Sequence, residues 1–388
     1  MLWGPGWQTR KFTIEPQSRS GKAVEARMRN ILVTGGAGFI GSNFIHYLQR
    51  TEPDAYIVNL DVLTYAANLE NLRNLPAPNR HRFIEGDICN RGLVDRILDE
   101  NEIGTIVHFA AESHVDRSIH GPAKFVQTNI VGTFTLLDAA RQAWLTNKAV
   151  PIEQVRFHHV STDEVYGSLG PGDAAFSETM PYAPNSPYAA SKASSDHLVR
   201  AYFHTYGLPV SITNCSNNYG PYQFPEKLIP LIIFNALNGR PLPIYGDGMQ
   251  VRDWLYVEDH CQAIWQVVRR GRPGETYNVG GNNQPPNIQV VREICAILDD
   301  LAPHSGHAPH NQLCRFVADR PGHDRRYAMN IEKISQELDW HPKEDLHSGL
   351  QKTVQWYLNN PEWVTAIANR PEFQAWLQKN YQAREAKI

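Results

Sequence analysis

From Asn30 onward, apolar positions gather in short continuous runs at residues 31–33, 55–60, 82–85, 105–109 and 155–160. Between them lie stretches such as 39–49, 93–98 and 131–144, in which apolar residues return every three to four positions. A short continuous run predicts a strand buried on both faces, and the longer period predicts a helix with one apolar side. Strands and helices that alternate in this way predict an α/β fold built on a doubly wound parallel sheet. Past about Asn214 the alternation loosens, and proline and glycine become dense at 218–225 and 239–248. That change predicts a smaller C-terminal domain that closes over a ligand. The expected division is 29–213 for the first domain and 214–388 mainly for the second, with segments returning to the first.

Residues 1–28 carry no such period and lack the apolar stretch of a secretory signal. They are expected to be a disordered extension or a mis-assigned start ahead of Met28, with a docking arm as the alternative. The 37 Lys and Arg against 40 Asp and Glu leave a net charge of -3 over 388 residues. No overall positive field exists to hold a nucleic acid or an acidic lipid surface, so neither a nucleic acid nor a membrane is an expected partner. Cys89, Cys215, Cys261, Cys295 and Cys314 are scattered and never form a C-x-x-C pair. That usage suits a reducing cytoplasm and offers no metal site. His304, His307 and His310 fit no standard ligand spacing, and a solvated loop is expected over 304–310.

Chemistry enters with Gly36-x-Gly38-x-x-Gly41, also readable from Gly35, which follows the first apolar run and opens a helix. Glycines there permit a tight turn, close approach of backbone to a pyrophosphate, and close packing of helix on strand. Asp61 ends the second strand, where a carboxylate can accept from a ribose hydroxyl and repel a 2′-phosphate. The site is therefore expected to be Rossmann-like and to prefer NAD to NADP; a turn or cap role for Asp61 is the alternative. Asp87, Ile88, Phe109, Ala110 and Ala111 end the next strands, either in the adenine and nicotinamide-ribose crevice or as ordinary strand-end sequence. Tyr188-x-x-x-Lys192 places two side chains one helical turn apart, so that Lys192 can lower the phenol pKa and bind a ribose. With 16 tyrosines in the chain, this spacing arises by chance about half a time, and only its place after the 155–160 strand makes it informative. Thr162, Asp163 and Glu164 stand at the carboxyl end of that strand. Adjacent carboxylates disfavour joint ionisation, a physical reason for one acid and one base; a polar loop is the alternative.

The stretch 35–41 with Tyr188-x-x-x-Lys192 resembles the extended short-chain dehydrogenase/reductase superfamily. The runs at 63–66, 110–118, 159–167, 191–199, 214–221 and 319–326 make the chain similar, more narrowly, to the dTDP-glucose 4,6-dehydratase family from about Arg29 to near the C-terminus. Ala189 departs from the family's usual serine, and the loop 168–183 is short. The resemblance implies hydride transfer from carbon 4 of the sugar to NAD, with Tyr188 taking the hydroxyl proton. It further implies removal of the carbon 5 proton by Glu164, protonation of the carbon 6 hydroxyl by Asp163, and return of the hydride to carbon 6. Thr162 would orient the carbon 4 oxygen. To the cofactor contacts it adds Phe39, Ile40, Leu63, Thr64, Thr128 and Asn218. For dTDP-glucose it implies contacts from Ser113, Asn217, Lys227, Leu228, Tyr245, Arg252, Asn287, Asp319 and His323, with Arg252 a bidentate clamp for pyrophosphate. Arg325 and Arg326 are expected to be structural. Asn129, placed at the opening of a helix, either holds a water near Lys192 or is a buried cap. A homodimer built by helix packing, a cytoplasmic location and a role in deoxysugar (dTDP-rhamnose) synthesis are implied in the same way. A 4-epimerase or decarboxylase would use the glycines, Asp61, Tyr188 and Lys192 equally, but has no hydroxyl to expel and no need of Asp163-Glu164. A non-catalytic cofactor-binding protein would have no use for the tyrosine and lysine together.

Overall fold

A computed structural model describes residues 28–147, 150–319 and 324–377. The reading of the N-terminal extension therefore falls outside the described residues up to residue 27. Eleven strands are found among the described residues: β1 Asn30–Thr34, β2 Tyr56–Asp61, β3 His81–Glu85, β4 Thr105–His108, β5 Arg156–Thr162, β6 Val210–Cys215, β7 Asn217–Tyr219, β8 Leu242–Tyr245, β9 Trp254–Tyr256, β10 Thr276–Val279 and β11 Cys314–Val317. Seven of them form one sheet in the order β10-β6-β5-β4-β1-β2-β3, parallel throughout.

The alternation within β1 shows why its apolar run is continuous. Ile31 and Val33 point to one face, where they pack with residues of helices α1 (Phe39–Thr51) and α6 (Val257–Arg270). Leu32 points to the other, where it joins Val58, Ile106, Phe157, Leu136 and Val199. The helices on that face include α2 (Arg91–Glu100), α3 (Thr133–Arg141) and α4 (Pro187–Tyr206). Each fully buried aliphatic side chain contributes roughly 1.5–3 kcal/mol, and the two cores hold the sheet between them.

A second lobe, with its own core of Phe224, Ile232, Leu242, Trp254, Val290, Leu350 and Trp363, is built largely from α5 (Leu228–Leu237), α7 (Asn287–Leu301) and α8 (Leu346–Asn359) with the short strand pairs β7–β9 and β8–β11. Its chain is discontinuous. Between its pieces, α6 packs on α1 and β10 pairs with β6, so residues beyond 214 finish the first sheet.

Two expectations change. The helix expected over 131–144 is part of a longer helical run that begins at Pro122 and includes π-wound segments at Val126–Gly132 and Gln142–Asn147. An i→i+5 winding moves apolar residues off the usual helical period, so the pattern conceals these turns. The solvated loop expected over 304–310 describes His304, which is exposed, but not His310. His310 is fully buried, its ring bonded to Asp299 and, at 3.2 Å, to Ser305. Asp299 draws it against the end of α7.

Candidate active site

The chain leaves β1 at the sheet centre for β2 and β3 on one side and then crosses to β4 on the other. The carboxyl ends of β1 and β4 therefore part into a crevice, the usual ligand position in such sheets. The crevice is a cleft of about 540 Å³ that runs from the glycine turn to the second lobe. Gly35 has φ +73, and a Cβ there would sit 2.7 Å from the Ala110 backbone nitrogen. A Cβ on Gly41 would sit 2.3 Å from the Gly35 carbonyl oxygen, so α1 can lie flush on the turn only with glycine. No side chain caps α1 at Gly38, which leaves its first-turn amides for an anion. Asp61 Oδ2 accepts from Ala37 N at 2.9 Å and Oδ1 from Leu63 N at 2.8 Å. The carboxylate thus holds both turns, as the structural alternative required, and also lines the cleft. Burial raises its pKa, opposed by these two donors. Cradle, open helix terminus and carboxylate fit NAD. Gly38, Phe39, Ile40, Thr64, Asp87, Ile88, Phe109, Ala110, Ala111, Thr128 and Asn218 line the same wall, whereas Leu63 is not part of it and serves through its backbone.

At the middle of the cleft β5 ends on Thr162, whose Oγ1 accepts from Glu164 N at 3.3 Å and caps the tight turn Asp163–Tyr166. Asp163 is buried, and burial, followed by Glu164 and Asp253, raises its pKa well above the usual carboxylate range. Its Oδ2 has no hydrogen-bond partner among the described residues. Glu164 is half-buried on the cleft wall. A deeply buried carboxyl group, whose neutral form is favoured, and a more exposed one thus stand side by side.

Facing them, Ser186 caps α4 by accepting from Ala189 N at 3.0 Å, and Pro187 occupies its first turn. This start fixes Tyr188 beside Thr162, and the next turn brings in Lys192. The expected lowering of the phenol pKa by Lys192 is not the net effect. Burial and then Glu164 raise it well above its usual value, while Lys192 Nζ donates to Val160 O at 2.8 Å. Asn129 is also corrected: it lies inside the π-wound segment and opens no helix. Its Nδ2 donates to Ser191 Oγ at 2.8 Å and Glu112 O at 3.0 Å, which ties the loop after β4 to α4.

Ser113, Asn217, Lys227, Leu228, Tyr245, Arg252 and Asn287 line the far end of the cleft. Arg252 is buried, and two of its donors are engaged by Val251 O at 2.8 Å and Asp324 O at 2.9 Å. The bidentate clamp expected of it therefore has fewer N–H groups to offer. Asp319 is not on the cleft wall; its Oδ2 accepts from Gln250 Nε2 at 2.8 Å. His323 lies outside the described residues. Arg325 pairs with Asp247 at 3.0 Å, and Arg326 donates to Asp173 O at 2.8 Å. Sequence reading missed His114, Glu226, Trp254 and Tyr327, all on the cleft wall. His114 and Glu226 were within reach of it, in the 110–118 run and next to Lys227; nothing local marked Tyr327.

A sequence model of the family described as GDP-mannose 4,6 dehydratase matches residues 32–353. The chain is 58% identical over 344 residues to the dTDP-glucose 4,6-dehydratase of Neisseria meningitidis, covering 88% of this chain and 97% of that one. It is 53% identical over 363 residues to the Salmonella typhimurium enzyme of the same name, covering 92% and 99%. The chain belongs to the dTDP-glucose 4,6-dehydratase family. Among solved structures, the dTDP-glucose 4,6-dehydratase of Bacillus anthracis in complex with NAD is similar at TM-score 0.77 and 47% identity, over 87% of this chain and 99% of that one. The UDP-glucose 4-epimerase of Thermotoga maritima is similar at TM-score 0.74 and 28% identity, over 86% and 99%. Members of this dehydratase family and the epimerase therefore share the scaffold, and the Asp163-Glu164 pair is where the reading between them is made.

Proposed function

We propose that the chain is an NAD-dependent hydro-lyase that converts dTDP-glucose to dTDP-4-keto-6-deoxyglucose and water. The observation that carries this is Asp163: a buried carboxyl group with an unpartnered oxygen, its neutral form favoured by burial, beside Glu164 and on the same cleft as Tyr188. NAD, when bound, supplies a hydride acceptor for carbon 4 and a donor back to carbon 6. Tyr188, next to Thr162, takes the proton of the carbon 4 hydroxyl. The resulting ketone acidifies carbon 5, and Glu164 removes that proton. Asp163 then gives its proton to the departing hydroxyl, which leaves as water, and carbon 5 regains a proton as carbon 6 is reduced; each such proton transfer is typically worth 10²- to 10⁴-fold. The phosphate end is lined by Lys227 and Arg252.

The chain is read further as a cytoplasmic homodimer serving deoxysugar synthesis. Five free cysteines support a reducing compartment, and no described helix is long and apolar enough to cross a membrane. Val126, Val131 and Phe134 stand exposed along the helical run that packs beside α4, an apolar face that suits a second copy of the chain.

The test is to incubate the protein with dTDP-, UDP-, GDP- and CDP-glucose and follow loss of water and appearance of a 6-methyl group by NMR. Substrate deuterated at carbon 4, mixed with unlabelled substrate carrying a heavy-carbon ring, should return deuterium to carbon 6 of the deuterated molecules alone. Deuterium back at carbon 4 with no water lost would instead mark an epimerase, and net accumulation of free NADH an ordinary dehydrogenase.

A further inference from the structure

Lys192 has a second set of neighbours that the steps above leave unused. Its Nζ lies 3.3 Å from His159 Nε2, and that nitrogen lies 3.3 Å from Asp196 Oδ1. Asp196 follows Lys192 by four residues, so both stand on the inner side of α4 one turn apart. The other carboxylate oxygen accepts from Ser161 Oγ at 2.8 Å, and Tyr182 also bonds to Asp196. His159, Ser161, Lys192 and Asp196 are all buried. An isolated ammonium ion in such surroundings tends to shed its proton.

We propose that Asp196 is a positioning residue for proton transfer at Tyr188: across the ring of His159, its carboxylate is the buried counter-charge that keeps Lys192 an ammonium ion at the cleft wall. The inference rests on the reading of Tyr188 and Lys192 as the oxidation pair.

The other titratable groups packed around the pair do not substitute for it. On β5 and β4, burial drives His159 and His108 well below the ordinary imidazole value. On β6, it pushes the Cys215 thiol up to about 12. Tyr166 and Tyr182, from the segment after β5, are raised in the same way. His197, next to Asp196 on α4, is exposed. Burial lowers Lys192 to about 8, and the foremost opposing influence is Asp196. Asp196 itself is held up to about 6 and so is ionised at neutral pH.

Asp196→Asn keeps the shape and removes the charge. The kcat/KM for dTDP-glucose should match wild type near pH 6.5 and fall about tenfold or more behind it near pH 8.5, because Lys192 then loses its proton at lower pH. A profile that coincides with wild type, or a loss equal at every pH, overturns the proposal. Tyr188→Phe serves as the control. If it turns over at the wild-type rate, the oxidation-pair reading is wrong; if it is inactive while the Asp196→Asn profile stays unshifted, only the role of Asp196 fails. Should Asp196→Asn not fold, the double variant Lys192→Met/Asp196→Asn decides. Recovery of the melting temperature in the double variant supports the charge pairing, and no recovery overturns it.

Discussion

A carboxyl group as deeply buried as Asp163 favours its neutral form, since the ion would lose hydration that the surrounding protein does not replace. Its folded pKa is raised above the unfolded value of about 3.9, so its stabilising contribution is complete below that pH and is lost as pH rises through the folded value. Asp163→Asn cannot ionise. Its melting temperature relative to wild type should therefore climb as pH goes from about 4 to 8, while turnover falls by roughly 10² or more. A gap in melting temperature that stays flat over that range would exclude a buried, protonated Asp163. Glu164→Gln should retain NAD and substrate yet lose turnover by roughly 10² or more; wild-type turnover would remove Glu164 from the elimination. Asp163 and Glu164 were legible in the sequence because they are chain neighbours at a strand end. Their division of labour was not, because Asp253, a contributor to the Asp163 shift, stands far along the chain.

Helix α4 shows the same limit one level up. Its start could be read from Ser186-Pro187 and its register from Tyr188 and Lys192, all within a few residues of one another. Its inner wiring, His159 on β5 and Tyr182 from a loop, is assembled by packing and left no periodic trace. At its end Gly207 adopts φ +73, and a Cβ at that position would meet nothing within 4 Å. Gly207→Ala should therefore cost about 1 kcal/mol of stability through backbone conformation alone and leave kcat unchanged. Gly41→Ala is the contrast, because its Cβ would press on the Gly35 carbonyl at 2.3 Å. It should lose bound NAD, as measured by cofactor released on denaturing the purified protein. Full NAD content in that variant would show that α1 can move away from the turn.

For the molecule as a whole, the strand–helix alternation announced the sheet, but the joining of β10 to β6 depends on a contact across more than sixty residues. Pattern reading sees neighbours in the chain and so divided the protein near residue 213. The segments expected to return to the first domain include α6, whose Val257, Cys261, Ile264 and Trp265 belong to the same core as Ile31 and Val33. A fragment of residues 28–213 should accordingly fail to give a cooperative thermal transition, whereas the full chain should melt as a unit; circular dichroism would distinguish them. The proposed dimer face is testable at this scale too. Phe134→Arg, at a side chain 46% exposed, should yield a monomer by light scattering without unfolding the sheet, and an unchanged mass would place the interface elsewhere.

The return of β10 also bears on how new sugar specificities could be grafted onto this scaffold. A recombination with one breakpoint after β6 would take the foreign substrate lobe together with the strand that must pair with the resident sheet, and with the helix that must pack on the resident α1. Such hybrids import two mismatched seams along with the desired pocket. Exchanges confined to β7 through β9, and separately to α7, would leave α6 and β10 with their own partners. The useful unit of exchange in this protein is a set of inserted loops and helices, so its evolution by single crossovers is restricted in the same way.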